Sequence, residues 1–502
     1  MYSCVDILPP ATAVVPRWKP RQTPRRRRRR RSPPPPLASI VPSSLAPILA
    51  QIIPSSISSR FAGGEPIFAI VSSLASWKSI ALTLFLGYAL LCRALRYRRE
   101  ASMRRTFGYP DRASLAKMTT EDAQLILRDL LTLEFPQFAV TALQFGLFKT
   151  YGVETISRLL LATRNLTDPV ASLKRYEDTA VVIGEFTANP PGSARSVASI
   201  ARMNFLHSKY VSSGQISNAD LLYTLSVFIT DPERFMRLYE WRPLNDMEYC
   251  AYAVFWKSIG EAMGIRYQGY LSKTEWKDGV EFAQDITAWA KSYEVVAFVP
   301  SKVSNKPAVA LIPMITYWLP GFMKDFAGEC VTVLLGDRVR EAFMLPEPGL
   351  TPAVFVYSTL ALRRAFLRHL SLPRFQRLIR HHPRGCESPD QTDQRLHLTF
   401  SYGNYPFYVK PTFWNRWGPE AWAMWLAGGK LPGDDPKTHF SEGYFFEELG
   451  PLNRMGQGKA EMEADVQRMK AKGMGVAPLA EGGHSMAMNG LVRRSYLESL
   501  LS

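Results

Sequence analysis

Between residues 118 and 300 the apolar residues recur at spacings of three and four, which is the repeat of an amphipathic α-helix. The stretches with this pattern are 153–163, 169–187, 194–211, 218–230, 246–263 and 278–292. Thr119 precedes a further helical run and is a residue type that caps helices. A short alternating stretch occurs at residues 396–400, and the pattern is helical again from about 320 to 372. These patterns predict an all-α fold.

The apolar segment at residues 67–92 is interrupted by one charge, Lys78, and is most apolar at residues 80–91. A helix that crosses a bilayer needs about 17–25 residues, and a lysine near its end reaches the interface. The segment predicts one N-terminal transmembrane helix, with a buried or interfacial helix as the alternative. Six arginines follow within residues 93–105. Because basic residues beside a span favour the cytosolic side, the large C-terminal part is predicted to be cytosolic.

The net charge of +17 is concentrated in two segments. Residues 1–35 carry +9 and residues 93–105 carry +5, which leaves about +3 for the rest of the chain. A nearly neutral folded part argues against a nucleic-acid partner. The arginine run at residues 25–31 is then a solvated arm, with a nuclear-import or nucleic-acid patch as the alternative. A mitochondrial transit peptide is a further alternative for residues 1–60, but their many prolines disfavour its amphipathic helix.

Composition divides the chain into four regions. An arm at 1–60, rich in Arg, Pro and Ser, cannot pack a core and is predicted to be disordered. The anchor at 67–92 is followed by a helical domain at 110–455. A polar helix and a loosely ordered tail are predicted at 456–502.

The chain lacks the common signatures of nucleotide-binding proteins, hydrolases and zinc proteases. No P-loop, G-x-G-x-x-G, G-x-S-x-G or H-E-x-x-H motif occurs. The five cysteines have no C-x-x-C spacing, which indicates neither a zinc knuckle nor a disulfide framework. His381 and His382 lie near Cys386 without a fourth ligand, so a surface loop is favoured over a metal site.

One histidine stands in a different setting. His207 lies near the end of the helical stretch 194–211, on a face shared with apolar residues. Arg175 and Thr179 are four residues apart on the preceding helix and share one of its faces. A histidine can hold haem iron with the opposite axial position open for dioxygen, and a nearby arginine can bind a propionate. From the residues alone, a hydrogen-bonded core histidine is the more common arrangement.

Two longer stretches, 174–186 and 201–210, resemble the fungal ER-bound oxygenases of the MpaB type. More distantly they resemble the catalytic domain of the rubber oxygenases, or latex-clearing proteins. Similar stretches occur at 219–225, 235–242, 255–258 and 410–419, and the resemblance covers about 80–450. It implies a globin-related, all-α core that binds b-type haem and cleaves isoprenoid double bonds oxidatively.

The resemblance also implies roles for single residues. The Phe-Leu-His pattern implies that His207 is the proximal ligand to the haem iron. The Arg-x-x-x-Thr pattern implies that Arg175 lies in the haem pocket and that Thr179 acts with it on dioxygen. Arg202 is predicted to reach a haem propionate. Glu154 lies near the place of the carboxylate base of the rubber oxygenases, but its spacing does not match and no role is assigned to it.

The function implied is that of a haem-dependent oxygenase of the endoplasmic reticulum membrane, single-pass, with its catalytic domain in the cytosol. Its partners are dioxygen, membrane lipid and a lipophilic small molecule that bears an isoprenoid group. Such a molecule would be a prenylated or terpenoid intermediate of fungal secondary metabolism. The alternatives are a haem-binding protein without oxygenase turnover and a cofactor-free, membrane-tethered interaction protein.

The predicted topology can be tested with a reporter that the chain itself carries. Asn165-Leu166-Thr167 is an acceptor for N-glycosylation. We expect Asn165 to stay unmodified in eukaryotic microsomes, because the domain after the span faces the cytosol. Added protease should digest that domain in sealed vesicles. A mobility shift that endoglycosidase removes would show a lumenal domain, and release by high salt alone would contradict a spanning helix.

Overall fold

The computed structural model describes residues 77–163, 169–316, 319–374, 392–398, 405–426 and 428–473. In these ranges the regular secondary structure is helical, which confirms the predicted all-α fold. β-structure is limited there to isolated bridges at Leu396 and Leu398, within the predicted alternating stretch. The predicted arm at 1–60, the acceptor site at 165–167 and the histidine pair at 381–382 lie outside the described residues.

The first helices are α1 (Trp77–Arg96), α2 (Arg98–Phe107), α3 (Thr120–Asp129), α4 (Pro136–Thr150) and α5 (Glu154–Ala162). Helix α1 covers the second part of the predicted anchor. Residues 78–107 contain an 18-residue window with a mean hydropathy of 1.5, of which 6% is buried. A helix of this length and composition can cross a bilayer. Its exposure distinguishes it from a buried core helix.

The next helices are α6 (Pro169–Ala188), α7 (Ala194–Ser212), α8 (Asn218–Tyr239), α9 (Asp246–Ala262) and α10 (Gly279–Ala297). Capping residues fix where several of these helices begin. Ser217 and Asp220 form a capping box at the start of α8, and Asn245 and Glu248 form another at the start of α9. Such boxes satisfy backbone N–H groups that have no partner within the helix.

Helix α8 is longer than predicted. The prediction ended it at residue 230, whereas it continues through Pro232 to Tyr239. Proline in a helix removes a backbone hydrogen bond and costs about 3 kcal/mol. The turn after Pro232 buries Phe235 and Met236 completely, and each such side chain contributes roughly 1.5–3 kcal/mol. Tertiary packing therefore outweighs the local effect of the proline.

A buried cluster of charges joins the end of α1 to the core. Arg242 donates to Glu248 at 2.6 Å and to Glu134 at 3.1 Å. The guanidinium of Arg96, in the last turn of α1, lies 4.6 Å from the centre of the Trp241 ring. Breaking a buried ion pair leaves an uncompensated charge, which costs about 3–5 kcal/mol. The ring contact of Arg96 thus places the last turn of α1 beside this cluster.

The remaining helices are α11 (Lys302–Ile315), α12 (Lys324–Leu335), α13 (Asp337–Ala342), α14 (Leu350–His369), α15 (Phe413–Trp417), α16 (Pro419–Leu426) and α17 (Lys459–Ala471). Helix α17 packs against α7 and buries Met462 and Met469. Asn204 on α7 donates to Asp465 on α17 at 2.7 Å. Helix α17 therefore packs against the helical domain, although the prediction placed the end of that domain before it, at residue 455.

Candidate functional site

The predicted site residues lie on two helices that pack against each other. Arg175 and Thr179 are on α6, and Arg202 and His207 are on α7. The helices are joined by the short connection at residues 189–193. The relative position of the two helices therefore determines which of these side chains meet.

A buried ion pair fixes that relative position. Arg195, in the first turn of α7, donates from Nε and Nη2 to the two carboxylate oxygens of Glu185 on α6, both at 2.7 Å. Neither side chain has any exposed area. Tyr444 donates its hydroxyl proton to the same carboxylate at 2.7 Å. A bidentate pair of this kind sets orientation as well as distance.

A second buried network surrounds Asp178, three residues after Arg175. Its carboxylate accepts from Lys174 Nζ at 2.6 Å, from the Tyr408 hydroxyl at 2.6 Å and from the Gly450 N–H at 2.9 Å. Lys174 also donates to the carbonyl of Gly450 at 2.8 Å. Burial raises the pKa of Asp178, and the charge of Lys174 opposes that rise. The network attaches the loop at Gly450 to α6.

The loop at Gly450 also packs closely on α7. Gly450 has a φ of +112°, a region that side chains rarely adopt. A Cβ atom there would lie 2.9 Å from Cδ1 of Leu206, the neighbour of His207. Between this loop and α6 lies a cleft of about 170 Å³, lined by Ala171, Lys174, Arg175, Gly450, Pro451, Leu452 and Asn453. The cleft thus borders Arg175 and the segment that touches α7.

His207 is half-buried, and its Nδ1 is buried without a hydrogen-bond partner among the described residues. Burial, together with the nearby charge of Arg175, lowers the pKa of His207 to about 4. The ring is therefore neutral at physiological pH. A neutral imidazole has a lone pair available for a metal ion.

Arg175 shows the same lack of a partner. Its Nη1 is buried and makes no hydrogen bond within the described part of the chain, and its side chain lines the cleft. A buried donor without a partner costs about 1–3 kcal/mol, and more when it is charged. Nη1 of Arg175 and Nδ1 of His207 are thus two unsatisfied atoms, and the charge of Arg175 acts on the His207 ring. A buried polar atom without a partner requires an explanation, and a bound ligand is one.

Thr179 lies one turn further along α6 and is exposed. Its Oγ1 donates to the backbone carbonyl of Arg175 at 2.9 Å, so its proton is used within the helix. Its predicted role with dioxygen stays a prediction. Glu154, to which no role was assigned, is paired with Arg158 on the exposed face of α5.

Arg202 makes structural contacts, and its predicted contact with a haem propionate stays a prediction. The buried guanidinium donates to the carbonyls of Leu449 at 2.7 Å, Gln457 at 2.7 Å and Arg454 at 2.9 Å. A fourth N–H points at Sδ of Met462, at 3.9 Å. Four of the five N–H donors of an arginine are therefore committed to the C-terminal segment. These contacts form a structural clamp on that segment.

His207 also differs from the other described histidines. The buried Nδ1 of His439 also lacks a hydrogen-bond partner among the described residues, but its ring is packed against the rings of Tyr405 and Phe407, with centres 5.6 and 5.3 Å away. Within the described ranges, no group of three or more His, Cys, Asp or Glu side chains is placed to hold a metal ion. Any metal bound at His207 would thus have few ligands from these ranges.

The sequence patterns did not identify Asp178, Tyr408 and Gly450 as parts of the site. Tyr408 and Gly450 lie 230 and 272 residues beyond Asp178, so no local spacing relates them. The dipeptide Gly450-Pro451 marks a turn, which is the available local signal. This dipeptide predicts a turn of the backbone. The contacts of that turn with α6 and α7 are visible only in the folded structure.

A family model for the catalytic domain of the ER-bound oxygenase mpaB/B' and rubber oxygenase family matches residues 156–367. This range contains Arg175, Thr179, Arg202 and His207. The fold and the site thus lie in a region typical of one class of oxygenase.

Relatives extend the match over most of the chain. The chain is 40% identical over 413 residues to the ER-bound oxygenase mpaB' of Penicillium brevicompactum, which covers 82% of this chain and 96% of that protein. It is 41% identical over 368 residues to the ER-bound oxygenase mpaB of the same species, with 73% and 86% covered. For the ER-bound oxygenase mpaB of Penicillium roqueforti (strain FM164), identity is 41% over 280 residues, with 56% and 94% covered. The chain therefore belongs to the ER-bound oxygenase mpaB/rubber oxygenase family.

The structural role of Arg202 can be tested in protein prepared without any cofactor. We expect Arg202→Ala to increase amide hydrogen exchange in residues 446–458, because their carbonyls lose a shared charged donor. Lys209→Ala, an exposed change on the same helix, is the matched control and should leave exchange unchanged. Unaltered exchange in the Arg202 variant would instead favour the originally predicted role in cofactor binding.

Proposed function

We propose that this chain is a membrane-anchored, haem-dependent oxygenase that cleaves an alkene in an isoprenoid-bearing small molecule. The observation that carries the proposal is the neutral imidazole of His207, whose buried Nδ1 has no hydrogen-bond partner among the described residues, near Arg175, whose buried Nη1 has none either. Membership in an oxygenase family supports the reaction class. The substrate class follows from the resemblance to enzymes that act on isoprenoid chains.

The two unsatisfied groups fit a haem. Haem iron needs one ligand from the protein, and a neutral histidine is a common one. Haem also carries carboxylates, which an arginine binds through charge-assisted hydrogen bonds. His207 would hold the iron and Arg175 would hold a carboxylate or act on the oxidant. A haem could therefore be bound by one iron ligand and one arginine on facing helices, and it would need no cluster of several metal-binding side chains.

When bound, haem supplies the activation of dioxygen and the oxidative chemistry. Adding both oxygen atoms of dioxygen across a carbon–carbon double bond and breaking that bond gives two carbonyl groups, a balance that needs no external reductant. The protein contributes position and charge. The networks at Glu185 and Asp178 hold α6 and α7 in place, so that Arg175 is aimed before substrate arrives. Thr179 keeps its acceptor lone pairs and is proposed as a further polar contact.

The anchor suits the proposed substrate. A prenylated molecule partitions into a bilayer, and α1 would keep the domain at that surface. The relatives are named as ER-bound, which supports placement at the endoplasmic reticulum. The six arginines at residues 93–105 support a domain in the cytosol. A haem protein without turnover, or a tethered interaction protein without haem, would share the anchor but lack cleavage activity.

The cofactor assignment is tested by the absorption spectrum of the protein. The wild type, produced with a supply of haem, should show a Soret band, and His207→Ala should lose it because the iron loses its protein ligand. His397→Ala, which removes another half-buried histidine, is the matched control and should keep the band. A colourless wild type, or an unchanged His207 variant of normal helix content, would refute the assignment.

The role of Arg175 is tested separately, by turnover of the haem-loaded protein. Arg175→Ala should lower the oxidative cleavage of farnesol, used as a simple isoprenoid probe, at least tenfold, or about 1.4 kcal/mol. The expected cause is loss of a preorganised positive charge. Arg158→Ala, which removes an exposed arginine of α5, should not change turnover. Equal turnover by the Arg175 and Arg158 variants would show that Arg175 has no part in the reaction and serves only in ordinary ion pairing.

A further inference from the structure

Helix α14 exposes apolar residues on the face that points away from the domain. On this outer face Val354, Phe355, Leu362 and Phe366 are each more than half exposed, and Leu350 at the start of the helix is 81% exposed. A surface helix of a soluble domain normally carries polar residues there. Contiguous apolar surface of this kind marks a contact with a partner or with lipid.

The exposure does not result from a loosely attached helix. The opposite face buries Pro352 and Val356 against the domain. Arg363 donates to the carboxylate of Glu240 at 2.8 Å, and its guanidinium lies 4.3 Å from the centre of the Phe138 ring. Helix α14 therefore has one fixed orientation, and its apolar outer face is a stable property of the folded domain.

Hydrogen bonds connect the end of α14 to the candidate span α1. The hydroxyl of Tyr88, within α1, donates to the carbonyl of Leu370 at 3.0 Å. Arg96 donates from Nη1 to the carbonyl of Leu372 at 3.2 Å, and Arg99 donates to the carbonyl of Arg374. These three bonds place the segment that follows α14 beside the last turns of the membrane-crossing helix.

Exposed basic residues gather at this junction. Arg368 and His369 are exposed in the last turn of α14, and Arg93, Arg98 and Arg104 are exposed on α1 and α2. Each basic residue near an anionic membrane surface contributes about 1 kcal/mol of attraction. The basic residues fit the headgroup layer, and the apolar face of α14 fits the acyl boundary beside it.

We infer that the outer face of α14 is a second membrane contact, which lies in the lipid interface next to α1. This inference rests on the membrane anchoring in the proposed function and is independent of haem. The occupant of the surface is the bilayer itself, because the apolar face adjoins the one candidate span in the described residues and has a basic rim. The domain would then be held against the membrane at two places.

Photo-crosslinking to lipid tests this inference in the full-length chain. The photoreactive residue p-benzoyl-phenylalanine is placed at position 355 or 362, and the protein is reconstituted into vesicles of phosphatidylcholine and phosphatidylserine. Position 85, exposed on α1, reports whether the anchor is in the bilayer, and position 261, exposed on α9, is the aqueous control. Lipid adducts are counted by mass spectrometry after irradiation.

We expect lipid adducts at 355 and 362 to approach the yield at 85 and to exceed the yield at 261 several-fold. Adducts at 85 with only background yield at 355 and 362 would overturn the second contact while leaving the anchor intact. Adducts between two protein chains at 355 and 362 would overturn it in favour of a dimer. Background yield at 85 as well would overturn the anchoring and this inference together, whereas the Soret band would test the cofactor separately.

Discussion

The carboxylate of Asp178 joins three parts of the chain that are far apart in sequence. It accepts from Lys174 on its own helix, from Tyr408 and from Gly450, and all of these contacts are buried. Removing one partner from such an arrangement costs about 3–5 kcal/mol, because a charge is left buried without compensation. Arg175 neighbours Lys174 and lines the cleft that the Gly450 loop closes. The shape of the candidate site therefore depends on this one carboxylate.

Local patterns predicted the helices well and the site only in part. Caps such as Ser217 set helix starts that sequence spacing alone places to within a few residues. The end of α8 was missed because buried side chains beyond Pro232 stabilise a turn that the proline disfavours locally. His207 and Arg175 were identified through a resemblance, and the structure gives them a shared physical property. The structural contacts of Arg202 could not be predicted, because its partners are backbone carbonyls some 250 residues later, which have no sequence signature.

Two kinds of apolar surface serve different purposes in this molecule. The core buries its aromatic residues in stacked and edge-on pairs, such as Phe228 on Trp256 with ring centres 4.2 Å apart. The later turns of α1 and helix α14 instead keep large apolar side chains exposed while hydrogen bonds attach them to the domain. An oxygenase that acts on the proposed lipophilic substrate would benefit from this division, because its domain would stay ordered while its surface suited the membrane.

The hydrogen bonds of the clamp at Arg202 can form only late in protein synthesis. Its acceptors, Leu449, Arg454 and Gln457, are made 247 to 255 residues after the arginine itself. At about 5–20 residues per second, the ribosome needs on the order of 10–50 s to cover that distance. During this interval residues of α6 and α7 have been made, but the guanidinium of Arg202 has none of its final carbonyl acceptors. The clamp can therefore form only when synthesis is nearly finished.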